Sequence, residues 1–423
     1  MKKQLQVLLV FAFLIQLKVN AQCSFNTTIT PAASATICGA GSATMTAGSG
    51  NNWITRANFG GVTRRYAVGF SVGTKGYIGT GTDGTNRDDF WEFDPITNVW
   101  TQKANFGGGV RANAVGFSVG TKGYVGLGDG VGGIKNDFWE YNPTLNTWTQ
   151  KANFGGGNRR SPVGFGIGTK GYVGTGNNGT AQTNDFWEYN PGTNAWVQKA
   201  NFGGAARSNA AGFSIGTKGY IGTGADISSS SYNDFWEYDQ GTNIWTAKAT
   251  FAGGGRFSAS GFSIGSRGYI AMGTVGLSDL NNVYEYDPLT NTWLIKQPVG
   301  TPRYAAVAFS IGGKGYMGTG AGVGVYYKDF YEYRPSDASY AWSNSATTQS
   351  ITVTTGGNYT LILTSVTGCT ATATRSITVQ ATPTINVNSG SICAGKSFTF
   401  APSGATTYTY SSGSATVSPI NTT

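Results

Sequence analysis

The chain of 423 residues contains no histidine. That absence removes the commonest general base, the commonest zinc and copper ligand, and every histidine-dependent triad. Charge is also scarce: Asp, Glu, Lys and Arg make up 12% of residues, and the formal net charge is +9. Lys2, Lys3 and Lys18 supply three of those charges, so the chain without its N-terminal stretch carries +9 less three, or +6. So mild a balance does not argue for nucleic acid. Cysteine is limited to Cys23, Cys38, Cys369 and Cys393. No apolar run after the N-terminal stretch resembles a membrane span, and nothing in the pattern supports a long helix.

The N-terminus opens Met1-Lys2-Lys3, runs through an apolar stretch from Val7 to Leu17, and reaches Val19-Asn20-Ala21 before Gln22. This reads as a signal peptide, residues 1–21, too short in its apolar part to span a membrane comfortably. A secreted or cell-surface location follows, and it permits disulfides. The 65 glycines, with abundant Ser, Thr and Asn, suit an exported β protein.

What the chain does have is one phrase repeated. Gly-Phe-Ser-x-Gly starts at Gly69, Gly116, Gly212 and Gly261, with Gly-Phe-Gly at Gly164 and Ala-Phe-Ser at Ala308. The intervals are 47, 48, 48, 49 and 47 residues, a period that marks a repeat architecture. In the second unit, Arg111–Val119 and Gly123–Leu127 read as short strands. Asp137–Tyr141 alternates with period two, Asn142-Pro143 makes a turn, and Thr147–Lys151 starts a fourth strand. Four strands per unit over six units predict an all-β ring in which each sheet buries both faces against its neighbours. Two aromatic columns, Trp91/Trp139/Trp187/Trp236/Tyr284/Tyr331 and Trp100/Trp148/Trp196/Trp245/Trp293, fit that packing better than an exposed sugar platform.

Glu285-Tyr-Asp-Pro-Leu-Thr-Asn-Thr-Trp293, with Arg303 upstream of an apolar strand and Gly315-Tyr316, resembles a kelch repeat, and the resemblance extends over all six units. The double glycine usual after the second strand appears here as Gly-Thr-Gly, as at Gly79–Gly81. The resemblance implies a six-bladed kelch-type β-propeller over residues 51–335. The sixth unit lacks a fourth strand and Trp53–Asn58 is a spare one, so pairing the two closes the ring and removes an exposed edge. Copper-radical oxidases of the kelch-like class need histidines and are set aside. A sialic-acid epimerase of the class resembles this chain in blade number, and it keeps the enzyme reading open because Arg, Glu and Tyr could act without histidine.

The flanks resemble Ig-like or PKD-like modules of exported Bacteroidetes proteins. Ala35–Ala47 looks like the first half of one, and Tyr340–Val353 with Gly357–Leu363 and Gly368-Cys369 looks like its continuation. This implies a small β-sandwich from residues 22–50 and 336–380, with the propeller inserted into it, and Cys38 and Cys369 as disulfide partners. Residues 381–423 read as the start of a second, incomplete module.

For chemistry, Arg64, Arg111, Arg159, Arg207, Arg256 and Arg303 each lie five residues before the repeated Gly-Phe or Ala-Phe mark. They predict a ring, either an anion site at the channel mouth or a structural bond made once per blade; identical copies favour the second. Arg65 and Arg160 are additional and break the symmetry. The loops between second and third strands differ from unit to unit, and Tyr232, Tyr326 and Tyr327 are aromatics there that depart from the repeat. No metal-ligand spacing and no cofactor motif is present. The favoured expectation is a secreted or surface binding module for a glycan or a protein, monomeric or part of a larger surface assembly. An enzyme acting on a sugar acid ranks second, with catalysis the less favoured reading, and a structural spacer third.

Overall fold

The computed structural model describes residues 53–335 throughout. Outside that span it describes 27–30, 35–38, 42–49, 339–347, 350–364, 370–380 and the positions 386, 390, 391 and 403. The expected signal peptide, Cys23, Cys369 and Cys393 fall outside the described residues. Contacts divide the chain into two compact units, 51–335, and 1–50 together with 336–423.

The larger unit is a six-bladed β-propeller built from six four-stranded antiparallel sheets. The first blade comprises Val68–Val72, Lys75–Gly79, Phe90–Asp94 and Val99–Lys103, each paired to the next. The inner strand alternates buried and half-buried residues, with Val68, Phe70 and Val72 entering the interface between blades. Packing of inner strands is close enough to require glycine. A Cβ on Gly69 would lie 1.9 Å from Cγ1 of Val307 in the neighbouring blade, which is why the repeated phrase begins with glycine.

The tryptophans of the fourth strands tie the blades together. Trp100 Nε1 donates to the Ala57 carbonyl at 3.1 Å, and Trp148 Nε1 donates to Ala104 at 3.0 Å. Trp148 also meets Phe90 and Phe106 edge-on, with ring centroids 5.0 Å apart in both pairs. Both aromatic columns therefore belong to the packing between blades.

The sixth sheet is completed from the other end of the unit. Val307–Ile311, Lys314–Gly318 and Phe330–Tyr333 are joined by Trp53–Arg56, in the register Tyr333↔Trp53 to Phe330↔Arg56. Arg56 takes the place that Lys103 holds in the first blade, opposite the phenylalanine of the third strand. It bonds Glu332, which also receives Lys314 and Arg334 and is fully buried. Burial alone would raise the Glu332 carboxyl. The hydrogen bonds from Arg334, Arg56, Tyr316 and Lys314 outweigh it and bring the group down to about 2.

In the smaller unit, one sheet has the order Thr27–Thr30, Ala43–Ser49, Ser350–Val353. The other has Ala35–Cys38, Thr370–Gln380, Gly357–Thr364, Ser339–Trp342. Ile29, Met45, Trp342, Ile351, Leu361, Leu363 and Ile377 share one core. The register corrects the expected disulfide. Cys38 lies opposite Gln380, at the far end of an 11-residue strand from Thr370, the residue that follows Cys369. At roughly 3.3 Å per residue that is a separation of about 30 Å, far beyond the reach of a disulfide.

Candidate functional site

Strand direction brings two sets of loops to one face of the propeller: those between second and third strands, and those leading into each first strand. The repeated arginine sits in the second set. Its guanidinium is buried in every blade, with at most 2% exposure. Arg64 Nη1 donates to the Thr80 carbonyl at 2.7 Å, and its two Nη atoms grip Asp89 at 2.6 and 2.7 Å. Arg111–Asp137, Arg159–Asp185 and Arg207–Asp234 repeat the pair at 2.5–2.6 Å, and Arg303–Asp329 repeats it again. Each carboxylate also holds the aromatic two residues on, as Asp89 accepts Trp91 Nε1 at 2.8 Å. Burial would raise these aspartates, but the facing arginine more than offsets it and keeps them below the usual carboxylate range.

The main chain locks the same arginines. The Arg111 carbonyl accepts the Gly81 amide of the previous blade at 2.7 Å, and the Arg64 carbonyl accepts Gly320 at the seam, also at 2.7 Å. This explains the Gly-Thr-Gly variant: Thr80 and Gly81 both take positive φ, at 58° and 90°, which aims one carbonyl at the guanidinium and one amide at the next blade.

Arg64, Arg111, Arg159, Arg207, Arg256 and Arg303 are thus structural, each guanidinium bonded within its own blade and each carbonyl bonded to the previous one, and the expectation of a ring of ligand-binding cations is corrected. Two of the three tyrosines go with them. Tyr232 stacks on Arg207 and Tyr327 on Arg303, with the guanidinium carbon 4.2 and 4.1 Å from the ring centroids. Blade five departs from the pattern. Asn282 stands where the others have aspartate, so Arg256 bonds Asn282 Oδ1 at 2.6 Å and Met272 O at 3.0 Å without a facing carboxylate. Burial lowers the Arg256 guanidinium to about 10.

One step further in lies a ring that sequence reasoning missed. Tyr66, Asn113, Ser161, Asn209, Ser258 and Ala305 each follow the repeated arginine by two residues, and all six take φ between 50° and 55°. Each amide donates to the preceding member's carbonyl, from Asn113 N to Tyr66 O at 3.3 Å round to Tyr66 N to Ala305 O at 3.2 Å. The six bonds close a circle around the mouth of the central channel. The backbone is identical in every blade while the side chains differ. That contrast was the available signal: a position fixed in spacing and free in type.

The channel below is narrow, about 160 Å³, and lined by small residues such as Ala67, Gly69, Ala114 and Gly116. The mouth itself opens sideways into a cavity of about 280 Å³. Its walls include Tyr66, Asn113, Arg160, Asn177, Gln182, Ser208, Asn209 and Phe257. Most of these polar groups are held in place. Asn113 Nδ2 donates to Asp129 Oδ2 at 2.8 Å, Asn177 donates to Gln182, and Gln182 Nε2 donates to Ser208 Oγ at 3.1 Å. Arg160 is less committed: its side chain is 45% exposed and its contact to Asp129 is 3.8 Å. Burial holds the Tyr66 phenol above its ordinary value, against the pull of Ser258 and Arg65, so it stays a proton donor at neutral pH.

Arg65 and Tyr326 are not among the residues lining this cavity. The Arg65 guanidinium lies 5.3 Å from the Tyr66 ring centroid and 5.5 Å from those of Tyr304 and Tyr326. Of the residues the sequence singled out, the structure therefore brings Arg65 and Tyr326 together near the mouth and places Arg160 on the cavity wall. Among the described residues no cluster of His, Cys, Asp and Glu could hold a metal ion, and no helix is long and apolar enough to cross a membrane.

No family model and no curated protein matches this chain. Among solved structures, that of YjhT matches with a TM-score of 0.60 at 17% identity, over 67% of this chain and 97% of that one. The shared feature is the all-β propeller fold. The match also corrects the preference against catalysis: a propeller fold shared with YjhT gives no ground for ranking enzyme activity second.

Proposed function

We propose that the loop-face mouth is the active site of an enzyme acting on a sugar acid. The observation that carries this reading is Arg160, a half-exposed guanidinium on the wall of a cavity otherwise lined by amides, hydroxyls and two aromatic rings. A guanidinium suits a carboxylate, the fixed Asn and Gln groups suit sugar hydroxyls, and Tyr66 and Phe257 offer apolar surface to a sugar ring. At about 280 Å³ the cavity fits one sugar unit better than a chain. The likeness to YjhT supports a sugar-directed role over a generic adhesion module. With no histidine in the chain, proton transfer falls to Tyr66 or a carboxylate such as Asp226, which also lines the cavity.

The test is titration calorimetry and anomer-exchange NMR with N-acetylneuraminic and glucuronic acids and their neutral counterparts. Binding that needs the carboxylate, and that R160A abolishes, supports the reading. Equal affinity of R160A and the parent protein sinks it.

A second reading, docking of a glycan or protein partner on the same face, is favoured by the exposed apolar loop tips Val131, Ile227, Leu277 and Val323. The repeat itself we assign to the kelch type, and the smaller unit to an Ig-like sandwich interrupted by the propeller, in an exported protein. These assignments rest on the residues quoted above.

A further inference from the structure

We propose that Arg65 is a positioning residue that acts through Tyr66, and that Tyr304 and Tyr326 hold it there. The inference rests on the sugar-acid reading for its consequence in binding, but the arrangement can be tested without a ligand.

Tyr66 is the one aromatic side chain in the circle of six mouth residues, and its main chain has no freedom. Its amide and carbonyl are both engaged in that circle, and its φ of 55° is a conformation that bulky residues rarely adopt. What remains adjustable is the direction of the ring. Against that ring, 5.3 Å from its centroid, lies the Arg65 guanidinium, which is not among the cavity-lining groups. Tyr304, which is blade six's counterpart of Arg65, meets Tyr66 edge-on at 6.2 Å and accepts a hydrogen bond from Arg65 Nη1 through its hydroxyl. Tyr326 closes the third side of the guanidinium. Arg65 Nε is buried without a partner, as expected of a group seated among aromatic faces rather than one reaching for an anion. Arg65 is absent from the cavity wall, whereas Tyr66 and Arg160 are on it. The two symmetry-breaking arginines thus have different tasks: Arg160 faces the ligand, and Arg65 sets the wall.

The experiment compares R65K, R65M, Y304F and Y326L with R160A and the parent protein. Tyrosine labelled with 13C at Cζ reports on Tyr66, assigned through Y66F and followed in free protein and with N-acetylneuraminic acid. A planar guanidinium held between rings is not replaced by an ammonium. R65K should therefore behave like R65M: both shift the Tyr66 resonance and weaken probe binding roughly tenfold. Y304F and Y326L should move the same resonance in part, and R160A should leave it in place. The proposal is overturned if R65K matches the parent protein, which would make Arg65 a simple charge. It is equally overturned if Y304F and Y326L leave Tyr66 unmoved. If the Arg65 variants shift Tyr66 while R160A binds the probe normally, the sugar-acid reading fails and the positioning role stands.

Discussion

Arg159 and Arg160 follow one another in the chain and end in two different regions. The first lies in the belt of ion pairs made once per blade, 2% exposed, bonded to Asp185, Thr175, Thr183 and Gly156. The second stands on the wall of the mouth with its side chain 45% exposed and a single loose contact. The belt is the same in nearly every blade, and the mouth holds four residue types among six blades. Where a repeat copies a polar residue, the copy is bonded to the repeat; only where the repeat lets a position vary is a side chain such as Arg160 left for a ligand.

The largest effect should come from breaking the belt. R159A leaves the half-buried Asp185 without its cation and removes the bonds to Thr175 and Gly156, a loss on the order of 3 kcal/mol. Calorimetry should show a large drop in melting temperature, and a melting point near that of the parent protein would dissolve the distinction drawn here. Next is the seam. The depressed Glu332 carboxyl contributes stability in full above its unfolded value of about 4.3, and the contribution is lost as pH falls toward about 2. The five paired aspartates, also lowered, add loss in the same direction. E332Q should lower stability at neutral pH by on the order of 2 kcal/mol and flatten the acid limb of the stability profile. A parallel acid limb in E332Q would remove Glu332 from the account.

A smaller effect of opposite sign is expected in blade five. N282D gives Arg256 the carboxylate that its five counterparts have, and should raise stability by about 1 kcal/mol. Destabilisation would mean that Tyr284 and Asn282 form a local alternative that the belt does not need. The smallest effect on stability belongs to R160A, within about 0.5 kcal/mol of the parent protein even as sugar-acid binding is lost. A large loss of stability there would move Arg160 into the belt.

Much of this fold can be read from the chain. Gly69 and its counterparts mark the close approach of inner strands, and the unfinished last unit together with Trp53 gives blade number and seam. The site is less legible. The five-residue spacing marks Arg64 as the repeated arginine, but no spacing tells that Arg65 is held among tyrosines while Arg160 stands on the cavity wall. Tyr66 is hard to find because the six residues at its position are of four chemical kinds — aromatic, amide, hydroxyl and methyl — so no pattern of type exists. The distance between Cys38 and the start of the strand that follows Cys369 is illegible for a related reason. A parallel pairing of Ala35–Cys38 with Thr370–Gln380 sets Cys38 far from Thr370, and register between distant strands is not written in either segment alone.

The pairing of Trp53–Arg56 with Phe330–Tyr333 also has a consequence in time. Arg56 and Glu332 are 276 residues apart, so during synthesis the first strand of the propeller emerges long before its partner. Until that partner arrives, the strand has an open edge and the ring cannot close. Contacts so distant in sequence form slowly. The seam should therefore be the last step in folding, and a chain halted before residue 330 would expose an unsatisfied strand to chaperones and proteases.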